Sequence, residues 1–150
     1  MNQYGMFKQI TVAIITPTHD KKSFELGLQM ARNLQCPLSV VECFYQQPPM
    51  FHFFETKADK QALQNRKNKI KSELVKWEKI AKKEGVSIKT QFALTDSIAH
   101  WVIEYVTEHE VELLIVDYPK LSATESTHYD DIINTIHHKA KCHILTTKQC

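Results

Sequence analysis

The sequence predicts a doubly wound α/β domain, a parallel sheet with helices on both faces. Three observations predict it. Short β-branched runs alternate with amphipathic stretches along the chain, the pattern that builds β-α-β units. The first of these runs, Ile10 to Ile15, is compact and β-branched, as a strand covered on both faces must be, while Val86 to Leu94 shows some alternation. A length of 150 residues with 43% hydrophobic and 24% charged content suits one core. A single domain is therefore expected over 1–150, with its core at about 8–148.

Each element has its own warrant. Ile10 to Ile15 is a short β-branched run, read as the first strand. A helix is expected from about Lys21, because Phe24, Gly27, Leu28, Ala31 and Leu34 fall at three- and four-residue spacing, with Thr18 or Asp20 able to cap it. Pro37 stops that helix, and Leu38 to Phe44 follows as the second strand. Tyr45 to Thr56 is irregular. Lys57 to Glu84 reads as a long helix with Leu63, Ile70, Leu74, Trp77 and Ala81 inward, closed by Gly85. Val86 to Leu94 is the third strand. Thr95 or Asp96 would cap a helix carrying Ile98, Val102, Tyr105 and Val106. Glu112 to Val116 is the fourth strand, Pro119 to His128 a polar loop, Tyr129 to Ala140 a short helix, and Cys142 to Thr147 the last strand. Ligands of such sheets bind at the carboxyl ends of strands where strand order reverses. That places a crevice between the first and fourth strands, lined by Ile15, Thr16 and Asp117.

Bulk composition excludes several classes. No apolar run is long enough to span a bilayer, and the first residues lack a signal-peptide core. A cytoplasmic protein is expected. Cys36, Cys43, Cys142 and Cys150 have no paired spacing and read as reduced thiols. The net charge of +2 conceals ten basic and four acidic residues between Lys57 and Glu84. That stripe reads as a solvated face, with a polyanion or acidic partner as the alternative. His137, His138, Cys142 and His143 offer metal-ligand atoms, but their spacing is no zinc-finger pattern and no metal is expected. Ser122, Thr124, Ser126, Thr127, His128 and Asp130 crowd the loop after the fourth strand without a nucleophile elbow or a glycine-rich oxyanion hole. Their expected role is helix capping. Met50, Phe51, Phe53 and Phe54 form either a partner surface or a cover folded back over the crevice or the long helix.

Blocks along nearly the whole chain resemble the universal stress protein family. They are Ile10-Thr11-Val12-Ala13-Ile14, Ala31-Arg32-Asn33-Leu34, Leu38-Ser39-Val40-Val41, Asp96-Ser97-Ile98, Glu112 to Val116, Ile132 to Ala140, and Cys142 to Leu145. The resemblance implies a Rossmann-like three-layer α/β/α fold with strand order 3-2-1-4-5. It also implies a core position for Cys142. The family's nucleotide-binding members carry G-x2-G-x9-G-[ST] after the fourth strand. Here that register falls on Asp117, Lys120, Asp130 and Asp131, while the aspartate and glycine of the first strand's end fall on Ile15 and Thr16. The chain's three glycines, Gly5, Gly27 and Gly85, all lie elsewhere.

Side chains at glycine positions keep the backbone from approaching a phosphate. A carboxylate about 5 Å from a phosphate oxygen costs on the order of 3 kcal/mol at an effective dielectric near 20. Ser126 and Thr127 complete the set of crevice positions. The expectation is a non-catalytic regulatory protein of the universal stress type that holds no ATP in the family's usual mode and needs no cofactor. Family members commonly pair through the last strand, which implies a homodimer built on Cys142, His143, Ile144, Leu145 and Thr146, with an unidentified protein as further partner. Two alternatives stand beside this reading. One is a sensor of AMP, ATP or another small molecule in the altered crevice. The other is an adaptor for nucleic acid or an acidic partner, using the basic helix 57–84.

Overall fold

A computed structural model of the chain describes residues 7–15, 21–46, 53–118 and 122–148. Thr16, Thr18, Asp20, Met50, Phe51, Lys120 and Cys150 lie outside the described residues. The elements run β1 (Ile10–Ile14), α1 (Lys21–Leu34), β2 (Leu38–Tyr45), α2 (Lys57–Lys83), β3 (Ile88–Thr95), α3 (Ile98–Glu108), β4 (Leu113–Tyr118), α4 (Ala123–Lys139) and β5 (His143–Lys148). The strands form one parallel sheet in the order β3-β2-β1-β4-β5. This is the expected fold and strand order.

Burial follows the sequence pattern. Every residue of β1 is buried, because β1 is the middle strand and has helices over both faces. One apolar cluster, with Phe24, Leu28, Ile70, Leu74 and Trp77, lies between the sheet and α1 and α2. A second, with Ile98, Val102, Val106, Ile133 and Ile136, lies under α3 and α4. Phe24 stacks on Trp77 at 4.7 Å between centroids. Gly27 permits α1 to lie close on the sheet, since a Cβ there would come within 2.4 Å of Val12 Cγ2 and 3.3 Å of Leu38 Cδ1.

α2 starts at Lys57 as expected, and the ends of α3 and α4 differ from expectation. Thr56 and Asp59 form a reciprocal capping box at the start of α2. Ser97, rather than Thr95 or Asp96, caps α3 by accepting the His100 N–H at 3.4 Å. Thr95 instead serves the turn, its hydroxyl accepting from Ser97 N–H at 3.0 Å. α4 begins at Ala123 and not at Tyr129, so most of the expected polar loop is helical. The cause is Ser122, whose Oγ accepts the Glu125 N–H at 3.3 Å and donates to Glu125 Oε1 at 2.8 Å. Left-handed backbone follows three helices, at Gln35 (φ 52°), Gly85 (φ 74°) and Glu110 (φ 51°). Only one of the three is the glycine that conformation favours.

Candidate functional site at the carboxyl end of the sheet

The site grows from the ends of β1 and β4, which lie side by side with Ala13 opposite Val116. One residue beyond each of those positions, the chain offers Ile14 and Asp117. Ile15 is 1% exposed and Asp117 is 0% exposed. They do not line an open crevice, as the sequence led us to expect. Instead the Ile15 N–H donates to Asp117 Oδ1 at 2.7 Å. The backbone N–H that leaves the sheet at the end of β1 thus finds its acceptor in a side chain of the neighbouring strand. A charged acceptor strengthens such a bond to about 1.5–3 kcal/mol.

Asp117 shapes its neighbours electrostatically. Burial pushes the Cys43 thiol up, and the carboxylates of Asp117 and Glu42 push it further the same way. Burial also raises the Tyr129 phenol; Asp117 adds to that, Arg66 opposes it and Glu125 adds a little. Both groups are therefore neutral at physiological pH. Glu42 is itself 2% exposed, on β2 opposite Ile14 of β1. Sequence reasoning passed over it, although a lone acid inside the apolar run Leu38 to Tyr45 was the available signal.

Of the remaining predicted positions, Ser126, Thr127, Asp130 and Asp131 lie on α4. The Tyr118 hydroxyl donates to Asp130 Oδ1 and lies 3.4 Å from Ser126 Oγ. Tyr118 packs with Tyr129 against the cluster beneath α3 and α4. Asp130 is half-buried and its carboxylate is held by the tyrosine, not presented outward as the sequence suggested. Asp130 and Asp131 are the eighth and ninth residues of α4. Their N–H groups sit within the helical ladder and not among the unsatisfied groups of its first turn. Thr127 Oγ1 donates to the Ala123 carbonyl at 3.1 Å, so Thr127 bonds along the helix rather than capping it. At the true N-terminus of α4, Glu125 already supplies a negative charge to the positive end of the helix dipole.

The histidine and cysteine cluster disperses. His137 Nε2 lies 3.4 Å from Thr146 Oγ1, His138 is exposed, and the His143 ring meets Phe7 edge-on. Among the described residues no group of three or more His, Cys, Asp or Glu could hold a metal ion. β5 begins at His143, one residue later than expected, and Cys142 is half-buried just before it. His143, Ile144, Leu145 and Thr146 lie on the outer strand of the sheet, away from β1. Among the described residues no helix is long and apolar enough to cross a membrane.

A parallel sheet with this strand order, reversing between β1 and β4, defines a doubly wound α/β domain. The chain belongs to the universal stress protein family, whose model matches residues 6–148. It is similar to the universal stress protein UspA from Lactobacillus plantarum, at 13% identity and a TM-score of 0.75 over 97% of this chain and 98% of that one. A universal stress protein family member from Burkholderia pseudomallei matches at 14% identity and a TM-score of 0.71, covering 96% and 98%. A universal stress protein solved in complex with cAMP matches at 16% identity and a TM-score of 0.61, covering 94% and 96%. No curated protein matches the sequence.

Proposed function

We propose that this chain is a non-catalytic regulatory protein that holds no ATP in the family's usual mode and acts as a homodimer. The single observation that carries the reading is the Asp117 carboxylate, buried and bonded to the Ile15 N–H. Where the resemblance expects a glycine open to phosphate, the chain has a carboxyl side chain built into the sheet. Two further features support it. Tyr118, Ser126 and Asp130 satisfy one another. The N–H groups of Asp130 and Asp131 lie inside α4 and are spent on helix bonds. A phosphate entering here would meet fixed carboxylates and few available donors.

The homodimer reading rests on β5. It is an outer strand, and Leu145 is 39% exposed on it. An open edge with apolar side chains and little charge invites pairing. Sedimentation at micromolar concentration tests this, with Leu145→Lys expected to shift a dimer to monomer. A wild-type monomer would remove the dimer from the proposal.

A second reading is favoured by a specific finding, the cAMP complex of a similar protein. In it the altered crevice takes a nucleoside monophosphate, whose smaller charge suffers less from Asp117 and Asp130. A thermal-shift panel with ATP, AMP and cAMP separates the two. Our reading expects no shift with any of them, and a shift with AMP or cAMP alone would replace it with the sensor.

A further inference from the structure

We propose that the surface where α2 begins, beside the carboxyl ends of β2 and β3, binds an acidic peptide segment carrying apolar anchors. Sequence order hides this surface, since the one aromatic residue among the α2 lysines is the buried Trp77. Folding brings rings to those lysines from other segments. Phe53 and Phe54 are 77% and 69% exposed, with centroids 4.0 Å apart, and make one apolar knob. Tyr45, 54% exposed at the end of β2, joins Phe54 and Leu63 around a cleft of about 340 Å³. Exposed aromatic groups in contact mark an interaction surface more than isolated ones do.

The charge beside this knob is positive and partly fixed in place. Residues 53–71 hold Lys57, Lys60, Arg66, Lys67, Lys69 and Lys71 against Glu55 and Asp59, six minus two, or +4. The Arg66 guanidinium lies 4.6 Å from the centroid of Phe44, and the Lys71 ammonium 5.2 Å from that of Phe92. Phe44 and Phe92 stack on each other at 6.3 Å. Rings under cations hold them in defined positions, which lowers the ordering cost when a carboxylate arrives.

Charge complementarity along α2 selects an acidic partner, and the cleft, lined by Glu55 and Asp59 beside Phe54, admits only an uncharged anchor set apart from the partner's acids, a spacing a peptide can provide. A nucleic acid carries a phosphate at every nucleotide and brings one against those carboxylates. A peptide sets its acids opposite Lys60 and Lys71 and its apolar side chain in the cleft. The surface is built from residues other than Asp117, so the proposal stands or falls independently of nucleotide binding.

Fluorescence anisotropy with the full chain tests it. The probe is a labelled synthetic peptide of about 15 residues alternating Asp or Glu with Leu or Trp. Controls are polyglutamate of equal length and oligothymidylate. The expected result is micromolar binding of the mixed peptide that weakens as salt is raised. Phe53→Ser with Phe54→Ser should weaken it about tenfold or more, and Lys60→Glu with Lys71→Glu by a similar factor. Unchanged far-UV circular dichroism and melting temperature would show these exposed positions still folded. Polyglutamate binding equally well, oligothymidylate binding more tightly, the phenylalanine variant binding like wild type, or no saturation by about 1 mM would each overturn the proposal.

Discussion

Replacing Asp117 with alanine should destabilise the fold, and the structure sets the scale. The substitution removes the acceptor of the Ile15 N–H, a bond of 2.7 Å between buried groups. Leaving a buried donor unpaired costs about 1–3 kcal/mol, and losing a charge-assisted bond belongs to the same range. Relief of the buried charge offsets part of this. The net expectation is a loss of about 1–2 kcal/mol, or roughly 2–8 °C in melting temperature for a domain of this size. Asp117→Asn keeps an oxygen at the same place and should lose about 1 kcal/mol or less. Thermal and urea unfolding followed by circular dichroism measure both. An alanine variant as stable as wild type would refute the reasoning, because Asp117 would then be dispensable to the sheet. The same argument predicts that glycine at this position weakens the fold before it can open a phosphate site.

Other positions give independent tests. Gly27→Ala should lose about 1–2 kcal/mol, since overpacking against Val12 outweighs the helix-propensity gain. Adding Val12→Ala should remove most of that further penalty, which a double-mutant unfolding cycle would show. Glu110→Gly should gain about 0.5–1 kcal/mol, because φ is 51° there; an unchanged urea midpoint would contradict it. Cys43 gives a pH dependence. Its thiol is raised in the folded state by burial first, then by Asp117 and Glu42. Its contribution is whole below the ordinary thiol range near 8.5 and is lost as pH rises above it, because only the unfolded chain ionises there. Urea midpoints between about pH 7 and 10 should fall more steeply for wild type than for Cys43→Ala, and parallel curves would contradict the assignment.

Fold and site were unequally readable from the sequence. The run Ile10 to Ile14 announces itself because a strand buried on both faces is apolar without a break, and the stripe Ile70, Leu74, Trp77 and Ala81 because one-sided burial imposes a helical period. The first two turns of α4 do not, because their residues are polar and largely exposed, and only the Ser122-x-x-Glu125 pair marked the start. Composition there favoured a loop, and the cap decided otherwise. Ile15 and Asp117 fall at the ends of β1 and β4, yet their orientation was not readable. An aspartate after an apolar run reads as a surface residue until the Ile15 N–H on the adjacent strand is known to need an acceptor. That need arises from strand pairing at a separation of 102 residues, beyond any local pattern. Phe53 and Phe54 were legible as a candidate surface, but the contacts of Arg66 with Phe44 and of Lys71 with Phe92 join segments far apart in sequence and were not.

The central claim is that Asp117 occupies from within the place a phosphate would need. Following the Ile15 amide by nuclear magnetic resonance while titrating Mg-ATP tests it most directly. The account predicts an amide protected from exchange in the free protein and unmoved by ATP up to about 5 mM. A rapidly exchanging Ile15 amide, or one whose signal shifts saturably at micromolar ATP, would contradict it.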